Sequence, residues 1–157
     1  MSSRNTKELT TADRQHWMGV LAKAAPGEIE ALWSEAVPTQ PGFRRLRGPE
    51  VGLVMVRGRV SGTGNPFNLG EMTVTRCAVQ LADGRIGHAY IGGRRPRQAE
   101  LAALADAMLQ DAAQRPRLLE RLIAPLAAAA AERHRSAQSK AAATKVEFFT
   151  VAREAQR

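Results

Sequence analysis

Cysteine is almost missing from this chain of 157 residues, which contains Cys77 alone. A single cysteine excludes an internal disulfide and fits a reducing compartment. Cys77 lies inside an apolar run, and a reactive cysteine needs exposure and a positive neighbourhood that Arg76 alone does not supply. The sequence therefore predicts a buried, inert thiol.

Long hydrophobic runs are also absent. No stretch approaches the roughly 18 uninterrupted apolar residues that a membrane-spanning helix needs, and the opening MSSRNTKELTTADRQ is too polar for a signal peptide. We therefore expect a cytoplasmic protein. The length and the apolar fraction of 44% predict a single domain with one core.

Motifs for catalysis or metal binding are scarce. The three histidines lie far apart, no two have metal-ligand spacing, and neither a Cys-x-x-Cys pair nor a hydrolase nucleophile elbow is present. We predict no metal site. His88, which lies beside Tyr90 on a predicted strand, is the best single candidate for proton transfer or for a phosphate contact, with a structural histidine as the alternative.

The centre of the sequence reads as a small antiparallel sheet. Alternation and β-branched residues predict strands at about 51–60, 72–81 and 85–91. Asp83-Gly84 tolerates the positive φ angles of a tight turn, so these residues are predicted to close a hairpin. Residues 43–47, before Gly48-Pro49, are a candidate for a short edge strand. The sheet is thus expected to have three to four strands.

The loop between the first two strands, SGTGNPFNLGE, is rich in glycine and asparagine. Glycine lets a backbone approach a ligand and turn its amides toward an anion such as phosphate. The loop matches neither the dinucleotide-binding motif, which enters a helix, nor the Walker loop, which needs a Lys-Ser/Thr pair. A plain hairpin loop is the alternative.

Apolar residues recur at helical spacing on both sides of this sheet. A helix is predicted from residue 12 to about 24 with Thr11 as its N-cap, and a second one ends near Ala36. After the sheet, helices are predicted at about 96–110 and from Pro116, where Pro125 implies a kink or a stop. An alanine-rich arm at 127–131 continues the last helix and has little to bury.

These elements together predict an α+β fold in one domain covering residues 1–157. Its parts are a frayed segment at 1–11, a helical pair at 12–36, the antiparallel sheet at 43–93, helices and the arm at 96–143, and a docking tail at 144–153. The tail contains Phe148 and Phe149, which need cover and are expected to dock on this domain's sheet or on another chain. Trp17 and Trp33 are interpreted as core or partner-facing residues.

Positive charge is concentrated in the sheet region. Residues 1–42 carry a net charge of −1, residues 43–97 carry +7 and residues 98–157 carry +2. The ten cations of the middle segment are all arginines: Arg44, Arg45, Arg47, Arg57, Arg59, Arg76, Arg85, Arg94, Arg95 and Arg97. Arginine pairs bidentately with carboxylate or phosphate, so a phosphorylated ligand, nucleic acid and an acidic protein are the candidate partners. GC-rich codon usage is the alternative reason for the preference for arginine.

The central block PEVGLVMVRGRVSGTGNPFNLGEMTVTRCAV, followed by DGRIGHAYIGG, AELAALADAMLQD and TKVEFFTVARE, resembles the PhnG subunit family of the bacterial carbon–phosphorus lyase system. The likeness runs from about residue 14 to residue 153. It implies a role in organic phosphonate catabolism as a subunit of α-D-ribose 1-methylphosphonate 5-triphosphate synthase, in which an alkylphosphonate displaces adenine from MgATP. The resemblance also implies a hetero-oligomer with a nucleosidase-like subunit, a radical S-adenosylmethionine lyase subunit and a further small subunit. MgATP is then a substrate of the complex, and neither a cofactor nor catalysis is expected of this chain alone.

Two hypotheses for the arginine-rich sheet follow from this resemblance. In the ligand-site hypothesis, a phosphate or phosphonate is held at a site shared with the nucleosidase-like subunit by Arg57, Arg59, Arg76, His88 and the backbone amides of Gly62 and Gly64. In the scaffolding hypothesis, the same arginines form salt bridges across subunit contacts. Without the resemblance, the alternative is a small basic nucleic-acid-binding protein.

Overall fold

The computed structural model describes residues 9–60 and 63–144. Helices precede and follow three strands, in the order α1 (Thr11–Lys23), α2 (Glu28–Ala36), β1 (Phe43–Gly58), β2 (Phe67–Leu81), β3 (Ile86–Gly92), α3 (Pro96–Leu109), α4 (Arg115–Leu118), a π-helical turn (Leu119–Ile123) and α5 (Ala124–Ala143). The predicted α+β fold is confirmed. The docking tail and most of the segment predicted to fray lie outside the described residues.

The N-terminal helix begins with a complete capping box. Thr10 Oγ1 accepts a hydrogen bond from Asp13 N, and Thr10 N donates to Asp13 Oδ2, both at 3.1 Å. The N-cap is therefore Thr10 and not the predicted Thr11, because an acidic side chain three residues after Thr10 satisfies the N-cap amide in return.

The strands form one antiparallel sheet in the order β1-β2-β3. The predicted hairpin at Asp83-Gly84 is confirmed: Gly84 adopts a φ of 91°, and Leu81 N donates to Arg85 O at 2.9 Å. The glycine is needed here because an L side chain rarely adopts that angle.

The first strand is longer than the sequence predicted. The candidate edge strand at 43–47 and the strand expected from residue 51 form a single β1, which passes through Gly48-Pro49 with register shifts on both sides of Arg47. Proline cannot donate to a ladder, and an irregular register lets the edge strand continue past it. The prediction of a separate short edge strand at 43–47 is therefore wrong.

The second strand also begins earlier than predicted, at Phe67 instead of about residue 72. Phe67 pairs with Gly58 and Asn68 pairs with Arg57, so part of the predicted loop, FNLGE, belongs to the sheet. Pairing with β1 provides the hydrogen bonds that the local glycine and asparagine content does not indicate.

Helix α3 covers one face of the sheet and is buried along nearly its whole length. The approach is very close at Gly87, where an added Cβ would lie 1.9 Å from Ala103 O and 2.6 Å from Ala107 N. Small side chains on both elements permit this distance. Trp17 and Trp33 belong to the same core, which confirms the core interpretation of the tryptophans.

The C-terminal helix continues past Pro125. The π-helical turn ends two residues before this proline, and α5 runs on to Ala143, so the predicted alternative of a stop is wrong. A proline removes one helical donor and crowds the preceding turn, and a wider turn accommodates both effects. In the alanine-rich arm at 127–131 no residue is fully buried, as expected, and the end of α5 at 132–143 is exposed throughout. Within the described ranges, no helix combines the length and apolarity needed to cross a membrane.

Candidate functional site

The residues of the ligand-site hypothesis fall into two separate groups. Arg76 and His88 lie near β3, where they pair with Tyr90 and Ala78 respectively. Arg57 pairs with Asn68 near the other end of β2. At about 3.3 Å per residue, β2 advances roughly 26 Å between positions 68 and 76. One phosphate therefore cannot contact both groups within a single copy of the chain.

Arg76 is held by neighbouring side chains on the face of the sheet opposite α3. Its guanidinium lies 3.4 Å from the carboxylate of Glu50, which also lies 3.5 Å from Arg47. A hydrogen bond with Tyr90 and, to a lesser extent, the charge of Glu50 raise the pKa of Arg76. An anion would reach this arginine only in competition with Glu50.

The second group lies where β1 leads into the glycine loop. Arg59 Nη1 donates to Gly64 O at 3.0 Å, and Gly64 N donates to Val60 O at 3.3 Å. The Gly64 amide is thus used inside the loop. Gly62 lies outside the described residues. Arg57 is exposed, and no ion pair within residues 9–60 and 63–144 includes it, so it is the member of this group best placed to meet an outside anion.

His88 presents its imidazole to solvent, while its backbone N–H donates to Asp106 Oδ2 at 2.9 Å. No carboxylate orients the ring in the described part of the chain, so the arrangement that a general base requires is not assembled there. Nor do the described residues contain a group of three or more His, Cys, Asp or Glu side chains that could hold a metal ion.

The most heavily hydrogen-bonded carboxylate among the described residues, Asp106 of α3, was not singled out from the sequence. This side chain is fully buried. Its Oδ1 accepts from Arg14 Nε at 3.0 Å and from Trp17 Nε1 at 2.9 Å, and its Oδ2 accepts from Arg14 Nη2 at 2.7 Å and from His88 N. The hydrogen bond to Asp106 raises the pKa of Arg14. Four donors leave no free position for a substrate, so Asp106 joins α1, α3 and β3 structurally. A lone aspartate in the apolar stretch AELAALADAML is the signal that could have found it.

Exposed apolar side chains are concentrated where β1 and β2 extend beyond β3. We call residues 53–58 and 67–73 the β-ribbon, because β3 ends opposite Val74 and leaves only two strands beyond that point. Its exposed apolar residues are Leu53, Met55, Val56, Phe67, Leu69 and Met72, and Val51 is exposed next to it. Leu53 and Leu69 are each 62% exposed. A two-stranded ribbon is marginally stable in water, and a large exposed apolar patch marks an interaction site.

A well-packed α+β domain that carries such a ribbon belongs to the class of small proteins that complete their surface within an assembly. Comparison with known proteins gives the family. Residues 12–154 match the family model described as phosphonate metabolism protein PhnG. Over 152 residues the chain is 41% identical to a protein of Rhizobium meliloti (strain 1021) named alpha-D-ribose 1-methylphosphonate 5-triphosphate synthase subunit PhnG, with 97% of this chain and 96% of that protein covered. The chain therefore belongs to the PhnG family, and the resemblance seen in the sequence is confirmed.

Proposed function

We propose that this chain is a subunit of α-D-ribose 1-methylphosphonate 5-triphosphate synthase and acts in the catabolism of organic phosphonates. The observation that carries this proposal is the identity of 41%, over nearly the full length of both chains, to a protein that bears this name. The match to a phosphonate metabolism family supports it. The comparisons give no support to the alternative of a nucleic-acid-binding protein.

The complex, and not this chain alone, is the unit of catalysis in this proposal. The reaction is displacement of adenine from MgATP by an alkylphosphonate, and MgATP is the substrate of the whole complex. The partners are a nucleosidase-like subunit, a radical S-adenosylmethionine lyase subunit and a further small subunit in the cytoplasm. The apolar β-ribbon supports assembly, since its side chains gain cover from a neighbouring protein.

Within the complex, the geometry argues against one site built from all the proposed ligand residues, and contacts within the chain also limit which arginines could form salt bridges to another subunit. Arg45 pairs with Glu100, Arg76 pairs with Glu50, and Arg59 donates to the loop backbone. The reaction brings a phosphonate dianion near a triphosphate, and cations must offset that repulsion. Among the residues of the hypothesis, Arg57 is the one available for this task at a site completed by another subunit.

Growth on methylphosphonate as the sole phosphorus source tests the proposal. A strain that lacks this chain is expected not to grow, and the wild-type gene is expected to restore growth. Normal growth without the chain would refute the proposal. Phosphate as the phosphorus source provides the control for general fitness.

Charge-neutral variants then separate the two roles of the arginines. If Arg57→Gln and His88→Gln chains co-purify with the other subunits and growth fails, the ligand-site hypothesis gains. If the complex no longer assembles, scaffolding gains. Arg135→Gln is the matched control, because Arg135 pairs only with Glu132, on the exposed end of α5, among the described residues.

A further inference from the structure

The two edges of the sheet differ in whether side chains bond to their outward backbone groups. At the β3 edge, Ile86 O accepts from Gln110 Nε2 at 2.8 Å and from Arg14 Nη2 at 3.4 Å. The next outward group, His88 N, donates to Asp106 Oδ2. Side chains thus occupy two of the outward backbone groups that an added strand would need at the start of β3, which is one way in which natural sheets block their edges.

At the β1 edge, no described side chain bonds to the outward backbone groups of residues 50–56, where the strand is regular. Among the described residues β1 pairs only with β2, and the pairing is uninterrupted over residues 50–56. Thr73 O accepts from Gly93 N at 2.8 Å, so Thr73 directs its backbone groups away from β1. Backbone groups alternate sides along a strand. Consequently Met72 and Val74 bond to β1.

The same alternation identifies the open groups of β1. Val54 and Gly52, which pair with Met72 and Val74, bond to β2. The residues between and beside them, Val51, Leu53 and Met55, therefore direct their N–H and C=O groups to the free edge. These are the groups to which a further antiparallel or parallel strand would bond.

Charge identifies the kind of strand that fits. Arginines lie on both sides of the open segment, at Arg44, Arg45, Arg47, Arg57 and Arg59, and the only acidic residue of β1 is Glu50. Arg45 and Arg47 pair with Glu100 and Glu50, whereas Arg44 on one side and Arg57 and Arg59 on the other form no ion pair within the described residues. Antiparallel pairing of two copies would bring arginine-rich ends together, and like charges on neighbouring strands are destabilising. The chain's own segment after Thr144, KVEFFTVAREAQR, has three cations and two acids. Neither a second copy of β1 nor this segment of the chain is complementary in charge to the β1 edge.

We propose that the free edge of β1 at residues 51–55 accepts an extended strand of a separate protein, apolar at its centre and acidic at both ends. Main-chain hydrogen bonds at Val51, Leu53 and Met55 hold the strand, and the flanking arginines select it by charge. The added strand covers exposed side chains of the β-ribbon. This inference rests on the proposed function, in which the separate protein is another subunit of the synthase.

A titration of the full chain with two synthetic peptides tests the chemistry of the edge. Both peptides have an alternating valine–threonine core, and one is flanked by glutamates and the other by lysines. We expect the glutamate peptide to bind at least about tenfold more tightly at low salt, and the preference to fall as salt screens the charges. Equal binding of the two peptides, or no binding of the glutamate peptide, would overturn the proposal.

A pair of variants at Leu53 tests the main-chain contact. Leu53→Pro removes an outward N–H without removing a bond to β2, whereas Leu53→Val keeps the N–H and an apolar side chain. We expect at least about tenfold weaker peptide binding for Leu53→Pro and a change of less than about threefold for Leu53→Val. Equal affinities of the two variants would contradict strand addition.

Amide exchange of the wild-type chain gives a measurement that does not depend on how the proline variant folds. The amides of Val51, Leu53 and Met55 are expected to exchange fast in the free chain and to become protected by the glutamate peptide. Protection before the peptide is added would overturn the proposal. The occupant would be a second copy if light scattering shows a dimer, and the chain's own tail if truncation after Ala143 removes the protection.

Assembly separates failure of this inference from failure of the proposed function. If Leu53→Pro and wild-type chains co-purify equally with the other synthase subunits, the inference is wrong and the proposed function stands. If cells that lack the chain grow on methylphosphonate, the proposed function is wrong, and the peptide titration still decides whether the edge binds an acidic strand.

Discussion

Replacement of Asp106 by alanine is expected to lower the free energy of unfolding by about 4 kcal/mol. The change removes the acceptor of the buried Trp17 Nε1 and of the partly buried His88 N, and a donor left unpaired in the interior costs about 1–3 kcal/mol. Arg14 is 34% exposed and can turn toward water, so the loss of its ion pair with Asp106 adds little to the destabilisation. The total agrees with the roughly 3–5 kcal/mol typical of a broken buried ion pair.

Urea unfolding followed by circular dichroism measures this loss. A stability of about 5–15 kcal/mol is usual for a domain, so the variant should fold and unfold at a clearly lower urea concentration. The melting temperature should fall by about 8–16 °C, since 1 kcal/mol shifts it by about 2–4 °C at this size. Glu132→Ala is the control, because Glu132 is 69% exposed in its pair with Arg135 and should change stability by less than about 0.5 kcal/mol.

A loss of less than about 1 kcal/mol in a folded Asp106→Ala chain would refute the reasoning. It would mean that water or another side chain replaces the carboxylate, and that the junction of α1, α3 and β3 does not depend on this acceptor.

Three further predictions concern the core. Gly87→Ala is expected to lower the free energy of unfolding by about 1–3 kcal/mol, because the added methyl group would lie 1.9 Å from Ala103 O. A thermal melt compares it with Gly52→Ala, whose Cβ meets no atom within 4 Å. Equal melting temperatures of the two variants would contradict the close packing. Burial raises the pKa of the Cys77 thiol, so iodoacetamide should modify it at least about a hundredfold more slowly in the folded chain than in urea, and equal rates would show that the site is open. The thiol loses its proton at a lower pH in the unfolded chain than in the folded chain, so its contribution to stability should decline as the pH rises above about 8.5. Urea midpoints of the wild-type and Cys77→Ala chains, measured at neutral and alkaline pH, check this.

Local chemistry was sufficient to predict the elements that depend on a few neighbouring residues. The Asp83-Gly84 hairpin needs only a dipeptide that tolerates positive φ, and it is present as predicted. The extent of β1 and β2 was not predictable in this way. Pro49 and the glycine loop locally disfavour a strand, and only the pairing of the two strands with each other extends them to Phe43 and Phe67.

The candidate site shows the same limit at longer range. Arg57 and Arg76 belong to one basic segment of the sequence, yet strand register decides how far apart they lie, and composition does not contain the register. Asp106 was missed for a related reason. The Asp106 carboxylate accepts hydrogen bonds from Trp17 and Arg14, which lie 89 and 92 residues away along the chain. A lone aspartate in an apolar stretch signals a buried carboxylate, but only tertiary packing determines these partners.

The β-ribbon also has a consequence for how the cell must produce this polypeptide. An apolar strand with open backbone groups is a template for unwanted cross-β association. Copies made in excess of the protein that covers this edge are expected to aggregate or to be degraded by proteases. Balanced synthesis of the subunits would then matter as much to a functional synthase as the sequence of any one of them.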